Sequence, residues 1–175
     1  MKNLIFALTL LFIQVNFSAR AGQIGNTNDQ GESFLLVEEN KEQEGMFLEN
    51  ESKYNFDETV DKLKAAIEQK TWKVTAIHDL QQTMKTYGKD VMPVKVFAVC
   101  HPKHSSKILE KDDERIVSCM MPCRISVYQK SDGKTYISRM DPAPMAKAFG
   151  GIVEQVMTES ANEIEVIISE IIVKK

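Results

Sequence analysis

The 175-residue chain is poor in the residues that announce a chemistry. It holds three cysteines, three histidines and one tryptophan, and neither C-x-x-C nor H-x-x-x-H occurs, which excludes the zinc-finger, thioredoxin-type and zincin signatures that depend on those intervals. A glycine-rich phosphate loop and a nucleophile elbow are missing as well, so P-loop hydrolysis and α/β-hydrolase chemistry have no basis in the sequence. Positive charge is not in excess, with 22 Lys and Arg against 25 Asp and Glu. Lys62, Lys64, Lys70 and Lys73 do cluster, but Asp57, Glu58, Asp61 and Glu68 are interleaved with them. That is the pattern of a solvated helix face rather than of a stripe tracking phosphates, and nucleic acid is not an expected partner.

Long apolar runs are absent except for Leu4 to Val15, which is too short for a membrane helix of about 20 residues. Lys2 before it and Ala19 and Ala21 behind it complete the pattern of a secretory signal peptide over residues 1–21. The expected location is therefore the periplasm or the exterior, with no membrane contact after cleavage. Residues 22–45 open with the polar stretch GQIGNTNDQGES, which buries too little apolar area to offset the entropy of ordering it, and read as a flexible lead-in. Short strands are expected in FLLVEEN and in GMFLENESKY. Residues 46–175 have the length of one domain with a single core.

Within that domain the local signals are sharper. Asn55 followed by Glu58 forms a capping box, and Phe56, Val60, Leu63 and Ile67 recur at helical spacing, which predicts a helix from Phe56 to Gln69. Trp72, Val74 and Ala76 alternate with polar residues as in a strand with one buried face. Asp79 and Gln82 cap a short second helix closed by Gly88. PVKVFAVC is nearly continuous in apolar residues and predicts a central strand buried on both faces. Pro102 suits the first position of the next helix, and a further turn of helix runs through Ile116 and Val117 until Pro122 stops it. RISVYQ and KTYISRM form a hairpin around Ser131, Asp132 and Gly133. Met145 to Val156 and Ile164 to Ile171 continue as helical faces, interrupted at Gly150 and Gly151. The expected class is α+β, with a mixed or antiparallel sheet of about four to six strands and helices packed mainly on one face.

The order YNFDETVDKLKAAIE, KVFAVCHP, MMPCRISVY and DGKTYISRMDP resembles the bacterial and archaeal family known as domain of unknown function 302, DUF302. The resemblance runs from about Tyr54 to Ile172 and rests on Pro102, on Pro122 with Arg124, on Gly133, and on Asp141 with Pro142. It implies an α+β fold and no particular reaction. The family often places Asn where this chain has His101 and Gly where it has Thr71, and both departures carry a local cost, because Asn caps a helix better than His and Gly terminates one better than Thr.

Candidate chemistry gathers in Cys100, His101, His104, Cys119, Met120, Met121 and Cys123. Cys100, His101, His104 and Cys123 have donor types suited to Cu or Zn, although their spacing matches no known metal signature. The plainer account makes Cys100, Cys119 and Met121 pliable core residues. Two arrangements remain open: parallel strands would separate Cys100 from Cys123 by a strand length, about 17 Å, and antiparallel strands would bring both to one sheet edge. Export also permits a disulfide, with Cys119 and Cys123 nearest in sequence. The leading expectation is a non-catalytic module that binds a small molecule or soft metal ion near Cys100, His101, Pro122, Cys123 and Arg124. The alternative is a thiol-dependent redox protein using Cys123 or Cys100. The isoleucine-rich face Ile164 to Ile171 additionally suggests a homodimer surface.

Overall fold

The computed structural model describes residues 45–174. The expected signal peptide over 1–21, nearly all of the expected lead-in over 22–45 and the candidate strand in FLLVEEN lie outside the described residues. The elements are β1 (Phe47–Glu51), α1 (Phe56–Gln69), β2 (Lys73–Asp79), α2 (Leu80–Thr86), β3 (Val94–Cys100), α3 (Pro102–Leu109), a 3-10 helix (Asp113–Met120), β4 (Cys123–Gln129), β5 (Thr135–Met140), α4 (Ala143–Phe149) and α5 (Gly151–Ile168). The strands form one open sheet in the order β1-β5-β4-β3-β2, and every neighbouring pair is antiparallel. This is the expected α+β class, with the sheet purely antiparallel.

The starts of α1 and α2 follow from side-chain capping. The Asn55 side chain accepts from the Glu58 N–H at 3.0 Å and the Asp79 side chain from the Gln82 N–H at 2.8 Å, satisfying donors that a helix start leaves without a partner. The break between α4 and α5 also falls where the two glycines stand. Gly150 and Gly151 have φ of 66° and 56°, in the left-handed region where a side chain is costly.

The core lies on one face of the sheet. Leu63 and Ile67 of α1 and Ile164, Ile167 and Ile168 of α5 pack onto Phe97, Val99, Ile125, Val127 and Ile137, which alternate inward along β3, β4 and β5. A smaller cluster of Ile108, Val117, Val153 and Val156 joins α3, the 3-10 helix and the first half of α5. β3 is interior, flanked by β4 and β2, and three of its residues in a row, Phe97, Ala98 and Val99, are buried. β4 takes the middle place.

One expectation is overturned here. The isoleucine face proposed as a partner surface covers the chain's own sheet: Ile164, Ile167, Ile168 and Ile171 are buried in the core. An apolar stripe marks burial without naming the surface that buries it, and the sheet is the surface within reach. Ile168→Ala should lower the unfolding free energy by about 2–5 kcal/mol through lost burial and a residual cavity, with no change in oligomeric state. Urea denaturation and light scattering measure the two. Dissociation of an oligomer by this substitution would instead place the residue at an interface.

Candidate functional site

The site forms where three segments far apart in sequence meet. β3 ends at Cys100, His101 occupies the N-cap position of α3, Pro102 follows at its first position, and His104 stands within the first turn. Pairing of β2 with β3, with Lys73 opposite Cys100, brings the connection after α1 alongside. That connection contains Thr71, at φ 64°, and the buried Trp72. The third segment is α5, whose inner face enters the core and whose flank carries Glu159 and Glu163 one turn apart.

The contacts are specific. Trp72 Nε1 donates to Glu163 Oε2 at 2.8 Å, His104 Nε2 lies 2.9 Å from Glu163 Oε1, and Thr71 Oγ1 lies 3.0 Å from His101 Nε2. The imidazoles of His101 and His104 have ring centroids 4.3 Å apart, and Trp72 lies against both, at 5.4 and 6.2 Å. Glu159 Oε2 is 3.5 Å from His104 Nδ1 and accepts from Lys107 Nζ at 3.0 Å. One donor atom each from His101, His104 and Glu163 lie within 4.8 Å of one another. The same three residues, with Thr71, Pro102 and Lys103, line an open depression of about 530 Å³.

Two buried nitrogens in this cluster, Nδ1 of His101 and Nδ1 of His104, have no hydrogen-bond partner. Buried polar atoms are normally paired, so His101 Nδ1 marks a place where a proton or a cation belongs, whereas His104 Nδ1 already has the Glu159 carboxylate 3.5 Å away. With His104 Nε2–H donating to the Glu163 carboxylate, a neutral ring leaves Nδ1 an acceptor facing a second carboxylate. Burial lowers the pKa of His101, and His104 and Lys103 push it the same way against the opposing pull of Glu163. Burial would raise that of Glu163, but hydrogen bonds from His104 and Trp72 outweigh it and hold the carboxyl below its ordinary value. At neutral pH a neutral His101 imidazole thus stands beside an ionised carboxylate, the protonation states a metal ligand needs.

The sulfur groups divide differently from the expectation. Because β3 and β4 are antiparallel, Cys100 and Cys123 do lie at the same end of the sheet, with Cys123 opposite Val99. Paired residues share a face, so Cys123 turns toward the core with Val99 while Cys100, one residue on, turns to the other face. The Cys100 thiol contacts Ser105 Oγ at 3.1 Å. All three cysteines are free, and Cys119 is exposed. Burial pushes the Cys123 thiol pKa up, and the neighbouring Cys100 adds to the rise. Pro122, Cys123 and the exposed Arg124 do not line the histidine depression. Of the expected ligand set, the structure therefore brings together His101 and His104 and adds Glu163, without Cys100 or Cys123.

Sequence reasoning noted the interval between His101 and His104 but missed Trp72, Glu159 and Glu163 as site residues. Glu163 is 59 residues from His104 and 91 from Trp72, and in sequence it is one acidic residue among several on an amphipathic helix. Thr71 stood out only as a departure from the resembled family's pattern, and His101 as a second departure as well as a candidate ligand. In the fold they touch, so the hydroxyl of a residue in a strained backbone position orients the imidazole at an uncapped helix start.

A family model described as domain of unknown function DUF302 matches residues 48–174. The chain belongs to the DUF302 family. Among solved structures, the crystal structure of an uncharacterized conserved DUF302 protein from Bacillus stearothermophilus is similar, with a TM-score of 0.65 and 17% sequence identity over 72% of this chain and 98% of that one. At that identity the likeness is one of fold. No curated protein matches.

Two outcomes are expected of this DUF302 domain without added metal. Thr71→Gly should raise stability by up to about 1 kcal/mol, because a non-glycine residue at positive φ costs about 1–2 kcal/mol and glycine's greater unfolded-state freedom returns only part of that. The second concerns pH. With the folded pKa of His101 held below the ordinary histidine value of 6.5, the unfolded chain binds the proton first as pH falls, so stability is unaffected above that value and declines below it. Urea titrations at stepped pH should show the decline reduced in His101→Asn; an equal decline would remove His101 as its source.

Proposed function

We propose that this exported DUF302 domain is a binding module that holds a divalent transition-metal ion, Zn(II) foremost, on His101, His104 and Glu163. The observation that carries the reading is the convergence of one donor atom each from His101, His104 and Glu163 within 4.8 Å of one another. Two imidazoles and a carboxylate are a ligand set of Zn(II) sites that keep an open position. The absence of a thiolate from the cluster turns the preference from Cu(I), which favours sulfur, to Zn(II).

The outer contacts support the same reading. His101 Nε2 is engaged by Thr71, which leaves its partnerless Nδ1 to face an ion. Glu163 keeps its second oxygen on Trp72 Nε1 while Oε1 points to His104 Nε2, and Glu159 stands behind His104 Nδ1. Hydrogen-bonded partners of this kind orient ligands and raise their basicity. In this reading the hydrogen bond between His104 and Glu163 occupies the place the ion takes. The thiol-redox alternative has less support, since the raised Cys123 pKa disfavours the reactive thiolate and the two strand cysteines face opposite ways.

Metal-free protein titrated with Zn(II) in a calorimeter should bind a single ion. His104→Ala and Glu163→Ala should abolish tight binding, and Cys100→Ser should leave it unchanged. Thr71→Gly should weaken it by about 10- to 100-fold, the range for loss of an outer-shell partner, although the same substitution stabilises the fold. Failure of the wild-type protein to take up Zn(II), or full affinity in His104→Ala, would overturn the proposal.

A further inference from the structure

Resting on the metal reading above, we infer that the centre receives the oxyanion head of a small organic acid, which lies in the depression beside His101 and His104. Three protein donors leave a four-coordinate ion one position to fill. The three donor residues themselves wall the depression, so that position opens onto it.

Charge around the opening favours an anion. A divalent ion held by two neutral imidazoles and one carboxylate is net positive. Glu159, the other acidic group at hand, is engaged by Lys107 at 3.0 Å and Gln155 at 2.8 Å. Lys103, on the wall, forms no ion pair among the described residues.

The start of α3 adds a backbone donor. The His104 and Ser105 N–H groups both bond to the His101 carbonyl at 3.0 Å, Pro102 has no N–H, and His101 supplies no side-chain cap. The Lys103 N–H is thus left without a protein acceptor among the described residues, at the positive end of the helix dipole. Independently of that helix end, the open position of the ion faces the same depression, because His101, His104 and Glu163 all line it.

Shape separates an organic acid from a bare inorganic ion. A depression of about 530 Å³ is in the range that holds a molecule of several heavy atoms. Pro102 and Thr71, among the residues that line it, carry apolar groups suited to a short carbon body.

The probe is the full-length chain, signal segment removed, loaded with Co(II), whose visible absorption reports the ion's coordination. Acetate, butyrate and inorganic phosphate are titrated into it separately. Both carboxylates should change the spectrum saturably, with butyrate binding more tightly than acetate. Lys103→Ala should weaken the carboxylates by about two- to fivefold, the worth of one exposed charge, while Co(II) affinity stays unchanged. A Co(II) spectrum unmoved by either carboxylate overturns this inference and leaves the metal reading standing, as does a response to phosphate alone. Equal carboxylate affinity in Lys103→Ala and the wild type overturns the charge argument and the inference with it. No uptake of Co(II) overturns both readings.

Discussion

The carboxylate of Glu163 is the point on which the arrangement at this end of the domain depends. One oxygen accepts from the indole of Trp72 and the other faces His104 Nε2, so a single side chain ties the connection after α1 and the first turn of α3 to helix α5. Hydrogen bonds to an ionised acceptor are stronger than neutral ones, and here they hold together segments that share no covalent proximity. If Glu163 moves, the Trp72 indole and the His104 imidazole lose their common partner and the wall of the depression loses its definition.

Its position is in turn set by the hydrophobic core. Ile164, Ile167 and Ile168 fix the rotation of α5 on the sheet, and helical geometry then leaves little choice for Glu163, next in sequence to one of them, and for Glu159 a turn earlier. The buried Ser160 lies between the two acids, so both sit at the border of the packed face rather than on the far, solvated side. Packing that stabilises the domain thereby aims two carboxylates at His104. The local strain at Thr71 has a similar logic: a residue held at positive φ is unfavourable by itself, and its hydroxyl reaches His101 from there.

The cysteines show why proximity along a sheet is a poor guide to a shared site. Antiparallel pairing of β3 and β4 places Cys100 and Cys123 at one sheet end, the arrangement that makes a common site conceivable. The two-residue period of a strand then sends their side chains to opposite faces. Register therefore decides the matter after direction has left it open. The imidazoles escape this constraint because both follow the strand, on a helix start, where side chains three apart lie close together.

Much of the fold was legible in the chain. Helix α1 runs from Phe56 to Gln69 as its capping box and apolar spacing require, Asp79 caps α2, and the hairpin of β4 and β5 and the break at Gly150 and Gly151 stand where local residues put them. These features depend on interactions within about one or two turns of chain, which sequence order preserves. Strand direction, the burial of the isoleucine face on the chain's own sheet, and the meeting of Trp72, His101, His104 and Glu163 depend on contacts between segments tens of residues apart. Sequence by itself determined which residues form helices and strands and that two histidines stand near a strand end. Only the tertiary structure decided that a carboxylate from α5 completes them and that the cysteines do not, because the rotation of a packed helix and the register of paired strands are properties of the assembled core.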